Sequence, residues 1–128
     1  QKDLFFVGTK DEFLDMRNEV KNLNFYDCSD FLDMARIIKS SKLVIANSSI
    51  AFPIAEGLNK PRLLEACPYF PAAQPHGQNA YSFYFQPHFE SLFNKLIVGN
   101  LVLSTFLKSR LFNIFKFIFF DFMNFLLL

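Results

Sequence analysis

Apolar positions along this chain recur at two spacings, and the spacing switches at regular intervals. Residues 3–7 form a short apolar run that stops at Gly8, which predicts a strand. Thr9-Lys10-Asp11-Glu12 follows in capping-box form, with a Thr hydroxyl for the third amide and a Glu to reach back. Phe13, Met16, Val20 and Leu23 then fall at helical intervals and predict a first helix over 10–23. Residues 24–27 read as a second strand. Ser29 or Asp30 caps a second helix, which turns Phe31, Leu32, Met34, Ala35, Ile37 and Ile38 inward and ends at Ser40 and Ser41. Residues 42–46 are a third strand whose unbroken apolar run predicts a central place in a sheet. A third helix over 49–58 ends at Gly57 or Asn59, both suited to a left-handed cap. Residues 62–66 are a fourth strand. Residues 67–79 carry Pro68, Pro71, Pro75 and Gly77 and read as a loop. A short fifth strand over 81–85 and a helix opened by Pro87 and running to residue 96 complete this part.

Strands that alternate with helices through short links predict an α/β fold. The expected architecture is a Rossmann-like parallel sheet with flanking helices and right-handed crossovers. In such sheets ligands sit beyond the carboxyl ends of the strands. Those ends are Gly8-Thr9, Cys28-Ser29, Asn47-Ser48-Ser49 and the loop from Cys67, where the small polar residues gather.

The pattern changes near residue 98, so we divide the chain into a Rossmann-like unit over 1–97 and a tail over 98–128. The tail is dominated by Phe, Leu and Ile. Drawn as a helix, it has a narrow polar stripe of Thr105, Ser109, Asn113, Lys116 and Asn124, with too wide an apolar arc for an ordinary surface helix. Three readings stay open: a helix buried against a missing half or a partner, a membrane-surface or marginally spanning helix, or a non-native reading frame in AT-rich DNA.

Composition narrows the function classes. With 128 residues there is room for one domain with its own core. The net charge is +1, which gives no argument for nucleic acid. Residues 1–97 hold 10 Lys/Arg and 11 Asp/Glu, while the tail holds Lys108, Arg110 and Lys116 against Asp121. Cys28 and Cys67 make no metal pattern and read as buried free thiols. The charged, strand-like opening is not that of a secretory signal, so a cytoplasmic chain is expected, with membrane association left to the tail. The first residue, Gln1, suggests a processed chain, an expression form or a piece of something longer.

The candidate chemistry lies where the third strand hands over to the third helix. The first amides of a helix have no internal partner, and its dipole adds about half a positive charge there. With Asn47, Ser48 and Ser49 supplying further donors, such a turn can hold a diphosphate without a metal or lysine. The competing reading is that Asn47 or Ser48 only caps the helix. Neither a G-x-x-x-x-G-K-[ST] loop nor a G-x-G-x-x-G turn is present.

Phe5-Phe6-Val7-Gly8-Thr9, Asp30-Phe31-Leu32-Asp33-Met34-Ala35 and Ile45-Ala46-Asn47-Ser48-Ser49, with Ala55-Glu56-Gly57 and Pro61, resemble the C-terminal domain of glycosyltransferase family 9. These are heptosyltransferase-like enzymes of the GT-B fold, and the similarity spans roughly residues 3–97. It implies the donor-binding half of a transferase that moves a sugar from a nucleotide diphosphate sugar to a glycan or lipopolysaccharide-type acceptor. By the same match Asn47, Ser48 and Ser49 take the phosphate, Gly8 and Thr9 line the first turn beside the donor, and Glu56 lies where such helices place a carboxylate. Asn47 stands for the family's Asp, Ser49 for its Gly, and Phe52 near its His, so the branch is divergent. The resemblance implies no metal and no cofactor. It also implies an N-terminal acceptor domain that supplies the catalytic base, so no catalytic residue is assigned, and this chain alone is not expected to catalyse.

Other residues have plainer expectations. Asp30 reads as a cap, and Glu56 equally as a solvated helix-end carboxylate. Lys60 and Arg62 flank Pro61 as surface charges, like Arg36 on the second helix. His76 and His88 read as loop histidines, and Tyr81, Phe83, Tyr84 and Phe85 read as core, with stacking on a base or sugar as the alternative. The alternative to an enzyme half is a non-catalytic α/β module that docks on a membrane or partner through its Phe-rich tail.

Overall fold

The computed structural model describes residues 4–69, 73–98 and 124–127. The chain is α/β and Rossmann-like, with one six-stranded sheet between two layers of helices. In chain order the elements are β1 (Leu4–Phe6), α1 (Lys10–Glu19), β2 (Leu23–Phe25), α2 (Phe31–Ser40) and β3 (Leu43–Ala46). They continue with α3 (Ala51–Gly57), β4 (Arg62–Glu65), β5 (Ala80–Phe83), α4 (Gln86–Val98) and β6 (Asn124–Leu127). The sheet order is β2-β1-β6-β3-β4-β5. The pairs β1–β2, β3–β4 and β4–β5 are parallel, and β6 runs antiparallel between β1 and β3.

Period-two alternation divides the core between the two faces. Leu43 and Ile45 of β3 point to one face, with Phe6, Leu63 and Phe83, under Phe13 and Met16 of α1 and Phe89, Phe93 and Leu96 of α4. Val44 and Ala46 point to the other, with Leu64 and Leu126, under Ile38 of α2 and Ala51, Phe52 and Ala55 of α3. All four residues of β3 are buried, as a central strand requires.

Three expectations need correction. The first helix stops at Glu19, not residue 23. Asn22 adopts φ 63°, a left-handed turn that lets Val20 close the helix and turns Leu23 into the first, buried residue of β2. Arg62 is not a surface charge: it opens β4 with 2 % exposure. Residues 124–127 are a strand and not the end of a hydrophobic helix. Leu126 is fully buried between Phe5 and Val44. The rest of the tail expectation, over residues 99–123, lies outside the described residues.

The helix starts follow the capping expectations. Thr9 Oγ1 accepts from the Glu12 N–H at 3.3 Å, and Glu12 Oε2 accepts from the Thr9 N–H at 2.7 Å, a complete capping box on α1. Asp30 caps α2 by accepting from the Asp33 N–H at 2.7 Å. Thr9→Ala is expected to cost about 1 kcal/mol of stability, read as a lower urea midpoint with an unchanged slope. A cost near zero would mean that the box seen here contributes nothing.

Candidate functional site

The strand order reverses between β1 and β3. From β1 the chain steps outward to β2, and from β3 it steps the other way to β4 and β5. This is the topological switch point, where open α/β sheets form a crevice beyond the strand ends. Gly8 and Thr9 follow β1 at its carboxyl end, and Asn47, Ser48 and Ser49 follow β3 at the same edge. The structure places these five residues at one edge of the sheet, on either side of the switch point and separated by the width of β6. Two strand spacings put β1 and β3 about 10 Å apart. Asn124 opens β6 at that edge, paired with Ala46.

The details at each wall differ. On the β1 side Thr9 already serves the capping box, and the Glu12 carboxylate sits over the positive end of α1. A Cβ on Gly8 would lie 2.8 Å from Glu12 Oε2 and 2.8 Å from the Phe6 ring, so Gly8 is needed for this close approach. On the β3 side Asn47 Oδ1 accepts from the Ser49 N–H at 3.1 Å, a local turn that shapes the strand-to-helix handover. Ser48 is exposed, while Asn47 and Ser49 are half-buried. The short α3 begins without a side-chain cap from Ile50, so the turn is shaped by Asn47 before the helix begins.

Glu56 does not join them. It sits in the last turn of α3, which runs back along the sheet, and it bonds the buried guanidinium of Arg62 at the amino end of β4. Its second oxygen accepts from the His76 N–H at 2.6 Å. Arg62 also donates to the Lys60 carbonyl at 2.6 Å and to the His76 carbonyl. Glu56 thus ties α3, β4 and the loop around His76 together at the edge opposite the crevice. The Arg62 hydrogen bond holds the Glu56 carboxyl below its ordinary value.

A second acidic site lies beside the crevice. Asp33 accepts from the Ser29 N–H at 3.1 Å and from the Tyr26 hydroxyl at 3.0 Å. The Ser29 amide, followed by the Tyr26 hydroxyl, lowers the Asp33 carboxyl, and the same Asp33 bond raises the Tyr26 phenol. This cluster fixes the β2–α2 turn. Cys28 in that turn is a free, half-buried thiol pushed up by burial.

The carboxyl edge also carries apolar side chains in the open. Phe31 and Leu32 at the start of α2 are 68 % and 60 % exposed, and Ile50 before α3 is 48 % exposed. The expected inward turn of Phe31 and Leu32 therefore does not hold, because they lie in the first turn of α2 and project past the sheet. Among Tyr81, Phe83, Tyr84 and Phe85, Phe83 is core, while Tyr84 and Phe85 are exposed.

Sequence reasoning missed one feature, a cavity of about 480 Å³ beside the edge strand β5, lined by Cys67, Gln74, Ser82, Tyr84 and His88 among others. The signal was present in the breaker-rich stretch between β4 and β5, which puts a loop where a parallel crossover usually puts a helix. No group of His, Cys, Asp and Glu among the described residues could hold a metal ion, and no described helix is long and apolar enough to cross a membrane. No protein-family model, curated protein or solved structure matches the chain.

Proposed function

We propose that this chain is the donor-binding half of a glycosyltransferase of the GT-B type. It binds a nucleotide diphosphate sugar with the diphosphate at the Asn47-Ser48-Ser49 turn, and the sugar passes to a glycan or lipid-linked acceptor. The observation that supports this reading is the switch point between β1 and β3, with the two small-residue turns at the carboxyl edge on either side of it. The exposed Ser48 supplies a hydroxyl for phosphate oxygens there, beside the turn closed by Asn47 and Ser49. The exposed Phe31, Leu32 and Ile50 on the same edge suit a further body of protein closing over the crevice, as an acceptor-binding domain would. Glu56 has no part in donor binding in this reading, because Arg62 and His76 engage it at the far edge.

Calorimetric titration of the full chain with UDP, ADP and GDP tests this. Binding of at least one diphosphate is expected, and Ser48→Ala or Ser49→Ala should weaken it by about 1–3 kcal/mol through lost charge-assisted hydrogen bonds. Unchanged affinity in both variants would remove the phosphate assignment from this turn.

A further inference from the structure

The parallel pair β4–β5 is joined by a loop with no helix among its described residues, so among the described residues no helix covers the sheet face beside β5 as α2 and α3 cover its neighbours. Ala73, Gln74 and Pro75 of that loop reach over the gap, and the small side chains of Ala66, Ala80 and Ser82 leave it open. The cavity of about 480 Å³ follows from this arrangement, and its size lies in the range of small-molecule sites.

The backbone of β5 contributes as well. The Arg62 N–H donates to the Asn79 carbonyl, and the Ala66 N–H donates to the Phe83 carbonyl. With the parallel register, Asn79, Tyr81 and Phe83 therefore direct their amides and carbonyls toward β4. Ala80 and Ser82 direct theirs outward, at the sheet edge, and both residues line the cavity. Each presents an N–H beside a C=O. Tyr84 at the rim is 49 % exposed, and the half-buried His88 is held against Phe85, with ring centroids 5.7 Å apart. Among the described residues no Asp, Glu, Lys or Arg lines the cavity.

We infer that this cavity is a binding site for a neutral sugar ring. Each sugar hydroxyl both donates and accepts, so it satisfies an edge where N–H and C=O alternate. An anion would meet the outward carbonyls, and a cation the outward amides. Tyr84 offers an aromatic plane against the apolar face of a pyranose, with Gln74 and Ser82 in reach of its hydroxyls. An extended peptide would match the same edge, but β5 spans only four residues and is walled by the loop at 73–75 and by α4, which suits a compact ligand. The site lies two strands from the β3–α3 turn and goes beyond the diphosphate reading without depending on it.

Saturation-transfer NMR on the full chain, with the methyl glycosides of glucose, galactose, mannose and N-acetylglucosamine as probes, tests the inference. Transfer to at least one glycoside is expected. Tyr84→Ala should weaken it roughly three- to tenfold, while Tyr69→Ala, an exposed tyrosine outside the cavity, should leave it unchanged. Ser82→Pro removes an outward amide and spares the bonds to β4, so it should also weaken transfer. If Ser82→Pro does not fold, Gln74→Ala takes its place. No transfer to any of the four glycosides, or transfer that Tyr84→Ala leaves intact, overturns the inference. Binding of acetyl-tetraalanine-amide that Ser82→Pro abolishes, with no sugar bound, would overturn it in favour of a strand-addition edge. Titration with UDP reports separately on the β3–α3 turn, so the two readings fail independently.

Discussion

Glu56→Ala is expected to destabilise the protein by about 3 kcal/mol at neutral pH, the lower end of the range for breaking a buried pair. Arg62 is 2 % exposed, and its guanidinium has three protein partners: the Glu56 carboxylate and the carbonyls of Lys60 and His76. Removing Glu56 leaves a buried positive charge facing two neutral carbonyls. It also strips the His76 N–H of its acceptor and so loosens the loop that walls the β5 cavity. Those two remaining carbonyls, and the 24 % exposure of Glu56, keep the cost from rising higher. Glu56→Gln keeps an acceptor for Arg62 and loses only the charge, so its cost should be clearly smaller. Urea denaturation at neutral pH separates the two variants. Equal, small losses in both would mean that the pair adds nothing beyond its shape.

The same bond sets a pH dependence. The folded Glu56 carboxyl lies below its unfolded value, so folding favours the ionised form. That stability is fully present above the unfolded carboxylate range, near pH 4.5, and is lost as pH falls through the lower folded value. The wild-type protein should therefore lose part of its stability in acid that Glu56→Gln does not lose. Parallel acid-side slopes for the two proteins would show that Arg62 does not hold Glu56 ionised.

Why Arg62 was read as a surface charge bears on what a sequence exposes. Periodicity placed the strand at residue 62 correctly, because Leu63 and Leu64 are apolar and Pro61 ends the preceding link. It could not show that Glu56, six residues earlier, would fold back beside it, since that pairing depends on the tilt of α3 over β4. The parallel strands, the capping box at Thr9 and the cap at Asp30 were legible because each is decided within a few residues. The shared edge of Gly8-Thr9 and Asn47-Ser48-Ser49 was legible for a different reason. Parallel strands put their carboxyl ends together, whatever the side chains do locally. What Asn47 does there was not: its bond to the Ser49 amide is a matter of a single side-chain rotamer. The cavity at β5 was hidden for the opposite reason, since it is made by what is absent over Ala80 and Ser82 and not by any motif.

The centre of the sheet raises the other large expectation. Leu126→Ala should cost about 2–5 kcal/mol, the range for truncating a buried leucine. Helical periodicity could not reveal this residue's place, because a run of Phe and Leu reads alike as a buried helix or a buried strand. Only pairing decides, and Leu126 lies opposite Phe5 on one side and Val44 on the other, fully buried with Ile38 and Leu64 in the core beneath α2 and α3. A strand in that position supplies the ladder bonds of both β1 and β3, so its contribution reaches both flanking strands as well as the core. Leu126→Val, which shortens the side chain yet keeps a strand-forming residue, should cost distinctly less than Leu126→Ala. Thermal unfolding of the two variants beside the wild-type chain makes the comparison. If both melt with the wild-type protein, residues 124–127 do not hold the sheet together. The sheet would then have to be held by β1 and β3 alone, across the two strand spacings, about 10 Å, that separate them.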